Sequence, residues 1–114
     1  MEYILTNFQI WLCGGSVLVA PCSHVGHIFR MRRPYKSIPG RDSNLYNSLR
    51  TVKVWFDDYE KYFYEKRPEA KEMDAGDLSE RLELKKKLNC KPIRWFIDEI
   101  CPELQPKRTL HEDL

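Results

Sequence analysis

Hydrophobic residues in this chain change their spacing near Ser43, and that change constrains the fold more than any other feature. Before it, Phe8, Ile10 and Leu12 fall on one face of an extended chain, and residues 17–20 form an apolar, valine-containing run. The CGGS sequence between them supplies typical turn residues. The first part of the chain therefore predicts a short β-hairpin, which needs a further surface to pack on because two strands alone are marginally stable.

After Ser43 the spacing is helical. Apolar residues recur three and four positions apart, and the stripe consists of Leu45, Leu49, Val52, Phe56, Tyr59 and Phe63. Asp42 or Ser43 can cap this helix, and Pro68 stops it. The pattern predicts one helix from Ser43 to about Tyr64.

Two further helices are predicted downstream. One begins at Asp77, in a DLSE sequence with the capping-box pattern, and turns Leu78 and Leu82 inward. The other begins after Pro92, which suits a first helical turn. Its apolar positions are Ile93, Phe96, Ile97 and Ile100. The expected fold class is α+β, with a short β-hairpin, a long basic loop and about three helices.

Length and composition allow one domain with a modest core. The chain has 114 residues, and its 19 basic and 17 acidic residues give a net charge of +2, which argues neither for nor against a nucleic-acid partner. The longest mainly apolar stretch, residues 10–21, is too short to span a bilayer. We identify no targeting signal in the chain.

Four cysteines lie far apart in the sequence: Cys13, Cys22, Cys90 and Cys101. None belongs to a CxxC pair, which disfavours a thioredoxin-type motif or a zinc ribbon. Two possibilities stay open from composition, namely free thiols in a reducing compartment or disulfides in an oxidising one.

Residues 22–41 form a polar loop that contains no carboxylate. Its basic residues are Arg30, Arg32, Arg33, Lys36 and Arg41, and it also contains His24 and His27. Such a loop can hold an anionic diphosphate, because a guanidinium grips two phosphate oxygens at once. His27 beside the arginines is a candidate ligand for a divalent metal. The alternative is a solvated loop whose charges only maintain solubility and whose histidines are structural.

Several sequence blocks resemble the polypeptide N-acetylgalactosaminyltransferases. Residues 8–16 read FQIWLCGGS and residues 21–30 read PCSHVGHIFR. Residues 54–59, VWFDDY, are similar to the family's V-W-M-D-E-[FY] helix, and residues 74–82, DAGDLSERL, to its Y-G-[DN]-I-S-x-R-L segment. Residues 87–96, KLNCKPIRWF, are similar to its K-L-x-C-K-[PS]-F-x-W-[YF] segment. These blocks occur in the family's order.

The resemblance implies part of a GT-A glycosyltransferase domain. Residues 1–104 correspond to the C-terminal third of the catalytic domain, and residues 105–114 to a polar tail or the start of a linker. The family's upstream nucleotide-binding sheet, with an Asp-x-His pair that supplies two manganese ligands, has no counterpart here. The ricin-like lectin domain has none either.

The resemblance also assigns roles to individual residues. His27 matches a manganese ligand, and Arg30 matches the arginine that reaches the diphosphate of UDP-GalNAc. Tyr35 matches a tyrosine of the flexible catalytic loop, so that His27, Arg30 and Tyr35 together are expected to bind the nucleotide sugar. Glu2 falls at a glutamate of the acceptor and sugar site. Finally, the family pairs the cysteines that correspond to Cys13 and Cys90 in a disulfide.

The implied activity is retaining transfer of GalNAc from UDP-GalNAc to Ser or Thr of polypeptides, the start of mucin-type O-glycosylation in the Golgi lumen. Mn²⁺ is the implied cofactor, with an incomplete site in this chain. UDP-GalNAc and acceptor polypeptides are the implied partners, and no nucleic acid or membrane segment is expected. The chain alone is predicted to be inactive. The alternative is a non-catalytic, truncated family member that acts as a binding or regulatory protein.

Overall fold

In the computed structural model, residues 2–29, 31 and 42–105 are described, with residues 2–6 as main chain only. The described parts contain five α-helices: α1 (Glu2–Leu12), α2 (Ser43–Trp55), α3 (Glu60–Lys66), α4 (Ser79–Lys87) and α5 (Ile93–Glu99). Short 3₁₀ helices span Asp57–Tyr59, Pro68–Glu72 and Pro102–Leu104. The predicted polar tail at residues 105–114 lies outside this description except for its first residue.

Two hydrophobic clusters form the core. The larger joins α1, the end of α2 and α5, and its buried members are Phe8, Leu12, Val54, Trp55, Ile93 and Ile97. The smaller lies between α2 and the chain that follows α3, and its buried members are Leu45, Leu49 and Ala70. Helix α2 therefore contributes to both clusters, because its buried residues extend along its whole length.

The predicted β-hairpin is wrong. Residues Phe8 to Leu12 belong to α1, residues 17–20 have no regular secondary structure, and the described residues contain no β-strand. Phe8 and Leu12 are buried one helical turn apart, whereas Ile10 between them is exposed. The same residues thus fit a helical period as well as an alternating one, and the tertiary contacts of Phe8 and Leu12 select the helix.

The CGGS sequence ends helix α1 instead of turning a hairpin. Gly14 has φ +86°, its N–H donates to the carbonyl of Trp11, and the N–H of Gly15 donates to the carbonyl of Ile10. This pair of hydrogen bonds defines a Schellman motif, in which a residue with positive φ follows the helix and glycine is favoured. The glycines were expected in a turn between two strands, and Gly14 instead adopts its positive φ at a helix terminus.

The predicted helix from Ser43 to Tyr64 is divided in two. Its start is as expected, because Asp42 Oδ1 accepts hydrogen bonds from the N–H groups of Asn44 and Leu45, both at 3.0 Å. The helix ends at Trp55 because Asp57 has φ +46°, which an α-helix cannot contain. The chain then passes through a 3₁₀ turn into α3.

The last two predicted helices exist, with differences at their edges. Helix α4 begins at Ser79, and Asp77 Oδ1 accepts a hydrogen bond from the N–H of Ser79 at 2.9 Å. Leu82 was expected to face inward but is 47% exposed, since α4 packs on the core through Leu78 and its C-terminal end. In α5 two of the predicted positions are buried, and Ile100 at the end is 37% exposed.

Candidate functional site

A disulfide holds the chain directly after α1, just before the segment that contains His24 and His27. Cys13 and Cys90 form the disulfide that the family resemblance implied, and their Cα atoms are 4.1 Å apart. Cys90 follows Asn89, which has φ +50° and closes a second Schellman motif at the end of α4. The disulfide therefore joins the C-terminal ends of two helices. Cys22 and Cys101 are free thiols.

From the Gly14–Gly15 turn to residue 29 the chain has no helix or strand, and residues 18–29 are all exposed. His24 and His27 both lie in this open segment. The His27 ring contacts the Phe29 ring edge-on, with 4.4 Å between the ring centroids. His27 is therefore exposed and accessible to a ligand, and neither histidine occupies the core.

For three of the other predicted site residues the structure describes no side chain. Arg30 and Tyr35 fall in the undescribed residues, and Glu2 is described only as main chain at the start of α1. The expected binding of the nucleotide sugar by His27, Arg30 and Tyr35 together thus stays a prediction. Within the described residues, no group of three or more His, Cys, Asp or Glu side chains could hold a metal ion. His27 can be one metal ligand, and the others would have to come from elsewhere.

A lysine and an aspartate fasten α4 and α5 to the end of α2. Lys85 Nζ donates to Asp57 Oδ1 and to the carbonyl oxygen of Val54, each at 2.8 Å, and lies 5.7 Å from the centre of the Trp55 ring. Asp57 Oδ2 accepts a hydrogen bond from the N–H of Ile93, the first residue of α5, at 3.3 Å. Asp57 therefore acts as an acceptor for a neighbouring helix N-terminus and as the ion-pair partner of Lys85.

This arrangement gives the VWFDDY block a structural role. Two adjacent aspartates such as Asp57 and Asp58 usually lie on a solvated helix face. The positive φ of Asp57 turns its carboxylate towards α4 and α5 instead. Sequence reasoning missed Lys85, since its partners lie 28 and 31 positions away and no local pattern connects them.

Arg50 fastens the loop before α4 to α2 in a similar way. Its Nη1 donates to the carbonyl of Ala75 and to the Tyr46 hydroxyl, and its Nη2 donates to the carbonyl of Asp77 at 3.0 Å. Gly76 lies between these two carbonyls with φ +67°. The DAGDLSERL block thus bends so that two of its carbonyls accept hydrogen bonds from one guanidinium. The glycine is the only residue in the sequence that indicates this bend.

None of the helices in the described ranges has the length and apolar character that crossing a membrane requires.

Comparisons with known proteins point to one enzyme family, although no family model matches the chain. The chain is 50% identical over 113 residues to a Caenorhabditis elegans protein named "Probable N-acetylgalactosaminyltransferase 8". The aligned region covers 99% of this chain and 26% of that protein. It is 51% identical over 104 residues to polypeptide N-acetylgalactosaminyltransferase 11 of Xenopus tropicalis, covering 91% of this chain and 17% of the relative. Human polypeptide N-acetylgalactosaminyltransferase 16 is 44% identical over 99 residues, covering 86% and 18% respectively.

The fold matches as well. A crystal structure of GalNAc-T7 with UDP, GalNAc and Mn²⁺ superposes with a TM-score of 0.79 and 39% identity, covering 90% of this chain and 20% of that one. The chain thus spans between 17% and 26% of the three relatives' own lengths. The resemblance deduced from the motif blocks is confirmed for this segment.

Proposed function

Because this chain carries a segment of the polypeptide N-acetylgalactosaminyltransferases, we propose that it is part of a retaining glycosyltransferase that moves GalNAc from UDP-GalNAc to Ser or Thr of polypeptides. The observation that carries the proposal is the agreement of sequence and fold along nine-tenths of the chain. The relatives are named as transferases, so the non-catalytic alternative is not favoured. Residues 1–104 are proposed as the C-terminal part of a GT-A catalytic domain.

Within that proposal, His27 is a metal ligand, and Arg30 binds the diphosphate of UDP-GalNAc. Tyr35 closes over the nucleotide, and Glu2 lies at the acceptor and sugar site. Support for His27 is its exposed imidazole in an open segment, where a ligand can reach it. A guanidinium such as that of Arg30 can stabilise the charge that develops on the departing UDP, because it offers two N–H groups to two oxygens.

The proposed cofactor is Mn²⁺, with His27 as the only ligand among the described residues of this chain. When bound, the metal supplies positive charge that stabilises a departing diphosphate. One imidazole does not compete well with water for manganese, so the chain alone is expected to be inactive. The proposed location is the Golgi lumen. The Cys13–Cys90 disulfide is consistent with it, because disulfides persist in oxidising compartments.

The test is a grafted enzyme in which this chain replaces the segment it matches in the Xenopus tropicalis transferase. The graft is assayed with UDP-GalNAc, Mn²⁺ and a threonine-containing peptide, beside His27→Ala and the matched control His24→Ala. We expect His27→Ala to lower kcat by about a hundredfold or more, the scale of losing a charge-stabilising group. His24→Ala should stay within about threefold of the graft.

Equal effects of the two substitutions would contradict the role of His27. An inactive graft that is folded and binds UDP would contradict the proposed function. Turnover by the isolated 114-residue chain would contradict the view that its site is incomplete.

A further inference from the structure

A pocket lies between the 3₁₀ turn that follows α2, helix α3 and the start of α5. Its volume is about 300 Å³, at the lower end of the range for small-molecule sites in proteins. The described residues that line it include Asp58, Tyr59, Lys61, Tyr62 and Arg94. All the residues proposed above for transfer precede α2 in the sequence, so this lining is a separate set of side chains.

Two tyrosines give the pocket an aromatic wall. The centroids of the Tyr59 and Tyr62 rings are 5.7 Å apart, and the ring planes are inclined at 47°. Tyr59 packs on the larger hydrophobic cluster, which holds its ring in place. Both residues are half-buried, and neither hydroxyl has a hydrogen-bond partner among the described residues. Such a wall offers an apolar face next to a polar group, so it suits a ligand of the same mixed character.

Charged groups beside the aromatic wall are available to a ligand. Asp58 makes no ion pair or hydrogen bond within the described part of the chain, whereas the two carboxylate oxygens of Asp57 already accept from Lys85 and from the N–H of Ile93. The side chain of Arg94 is 77% exposed and makes its ion pair through Nε, at 3.6 Å, which leaves its two terminal nitrogens as donors. The pocket therefore presents one carboxylate acceptor and a guanidinium with free N–H groups.

This combination of charges favours a neutral ligand. An anionic ligand would meet the carboxylate of Asp58, and a cationic ligand would meet Lys61 and Arg94, so either would face like charge. A neutral molecule with several hydroxyl groups can instead donate to the carboxylate and accept from the guanidinium, while its C–H face lies against a tyrosine ring. A single pyranose ring has these properties and is small enough for a pocket of about 300 Å³.

We propose that this pocket binds one neutral sugar residue. The C–H face of the sugar lies against the wall formed by Tyr59 and Tyr62, and its hydroxyl groups hydrogen-bond with Asp58 and Arg94. Binding here uses none of the residues proposed for transfer, so the inference does not depend on the proposed function. The pocket is a second carbohydrate site, on a chain whose own transfer site is incomplete.

Three sugars with the same ring but different charge test the proposal. Galactose is neutral, and at about pH 6 galacturonic acid is an anion and galactosamine a cation. Each is titrated into the 114-residue chain and into the grafted transferase, and the ring resonances of Tyr59 and Tyr62 are followed by NMR. We expect galactose to shift both with a Kd of about a millimolar, the scale for a ligand of this size. The two charged sugars should bind about tenfold more weakly.

Matched variants locate the binding. Tyr62→Leu keeps apolar bulk but removes the ring, and should weaken galactose binding about tenfold, read from Tyr59. Tyr62→Phe keeps the ring and should stay within about threefold. Asp58→Ala removes the free carboxylate and should weaken binding about tenfold as well. Glu65→Ala changes an exposed carboxylate of α3 outside the described lining and should leave the affinity unchanged.

The proposal would be overturned if galactose left both tyrosines unshifted at about ten times the expected Kd, in the isolated chain or in the graft. Equal or tighter binding of either charged sugar would also overturn it, as would equal affinities of Tyr62→Leu and Tyr62→Phe. Should Tyr62→Leu fail to fold, the three sugars on the unsubstituted chain still decide. A graft that binds galactose at this pocket but transfers nothing would contradict the proposed function and support the pocket.

Discussion

The N–H of Lys91 donates a hydrogen bond of 2.7 Å to the carbonyl oxygen of Leu12, directly beside the Cys13–Cys90 disulfide. Leu12 is the last residue of α1, and its carbonyl has no partner within that helix. The chain that follows α4 therefore supplies a hydrogen-bond donor to the last carbonyl of α1. This hydrogen bond and the disulfide together hold the C-terminal end of α1, from which the chain continues into the open segment.

Removal of this disulfide is expected to destabilise the isolated chain strongly. Cys13 and Cys90 are 77 positions apart, and the chain-entropy model assigns about 4 to 5 kcal/mol to a loop of that size. The double substitution Cys13→Ala, Cys90→Ala should lower the free energy of unfolding by that order, measured in urea. The control Cys22→Ala changes an exposed free thiol and should stay within about 0.5 kcal/mol. Equal stability of the two variants would contradict a structural role for the disulfide.

Gly14→Ala is expected to weaken the end of α1. A Cβ at this position would meet no atom within 4 Å, so the cost comes from φ +86°, where an L-residue loses about 1 to 2 kcal/mol. Gly26→Ala is the matched control, because Gly26 is equally uncrowded and has no positive φ. Urea unfolding should show the loss only for Gly14→Ala. A comparable loss in both would mean that the Schellman motif does not form.

The two readings of the CGGS sequence show where sequence reasoning failed for the fold. Glycines that permit positive φ serve a hairpin turn and a helix C-terminus equally well, and Phe8 and Leu12 fit both periods. The choice depends on the distant contacts of α1 with Ile93 and Ile97 of α5, which no local pattern reveals. Where local and tertiary preferences agree, as at the Asp42 cap, the sequence was sufficient.

In the candidate site, too, some features could be predicted from the sequence and others could not. The Cys13–Cys90 pairing could be predicted through the family motifs, whereas spacing alone left the cysteines undecided. The roles of Arg50 and Lys85 could not be predicted, because both side chains donate to main-chain carbonyls 25 or more positions away in sequence. The roles of Glu2, Arg30 and Tyr35 stay predictions.

Lys85→Met is expected to loosen the attachment of α4 to α2. The side chain of Lys85 is only 18% exposed, and its loss would leave the Val54 carbonyl and the Asp57 carboxylate without their shared donor. Hydrogen bonds to charged groups contribute about 1.5 to 3 kcal/mol, and the free energy of unfolding should fall by that order.

Lys86→Met is the control for the Lys85 prediction, because it removes a charge from the same last turn of α4 at an exposed position. It should change stability by no more than about 0.5 kcal/mol. A double-mutant cycle of Lys85→Met with Asp57→Asn should show coupling. Strictly additive effects would contradict the ion pair.

Because of Asp77, at the start of α4, part of the free energy of unfolding is expected to be lost at acidic pH. The hydroxyl and the N–H of Ser79 both donate to Asp77 Oδ1, and these hydrogen bonds hold the pKa of the Asp77 carboxyl below its ordinary value. A carboxyl with a lowered pKa in the folded state contributes stability that is fully present above its unfolded pKa, near 4, and is lost as the pH falls through the folded pKa. Asp77→Asn keeps an acceptor oxygen but cannot titrate. The difference in unfolding free energy between the wild type and Asp77→Asn, measured in urea from pH 7 to pH 2.5, should be constant above about pH 5 and shrink below pH 4. A difference that does not change with pH would contradict the hydrogen bonding of Asp77 to Ser79.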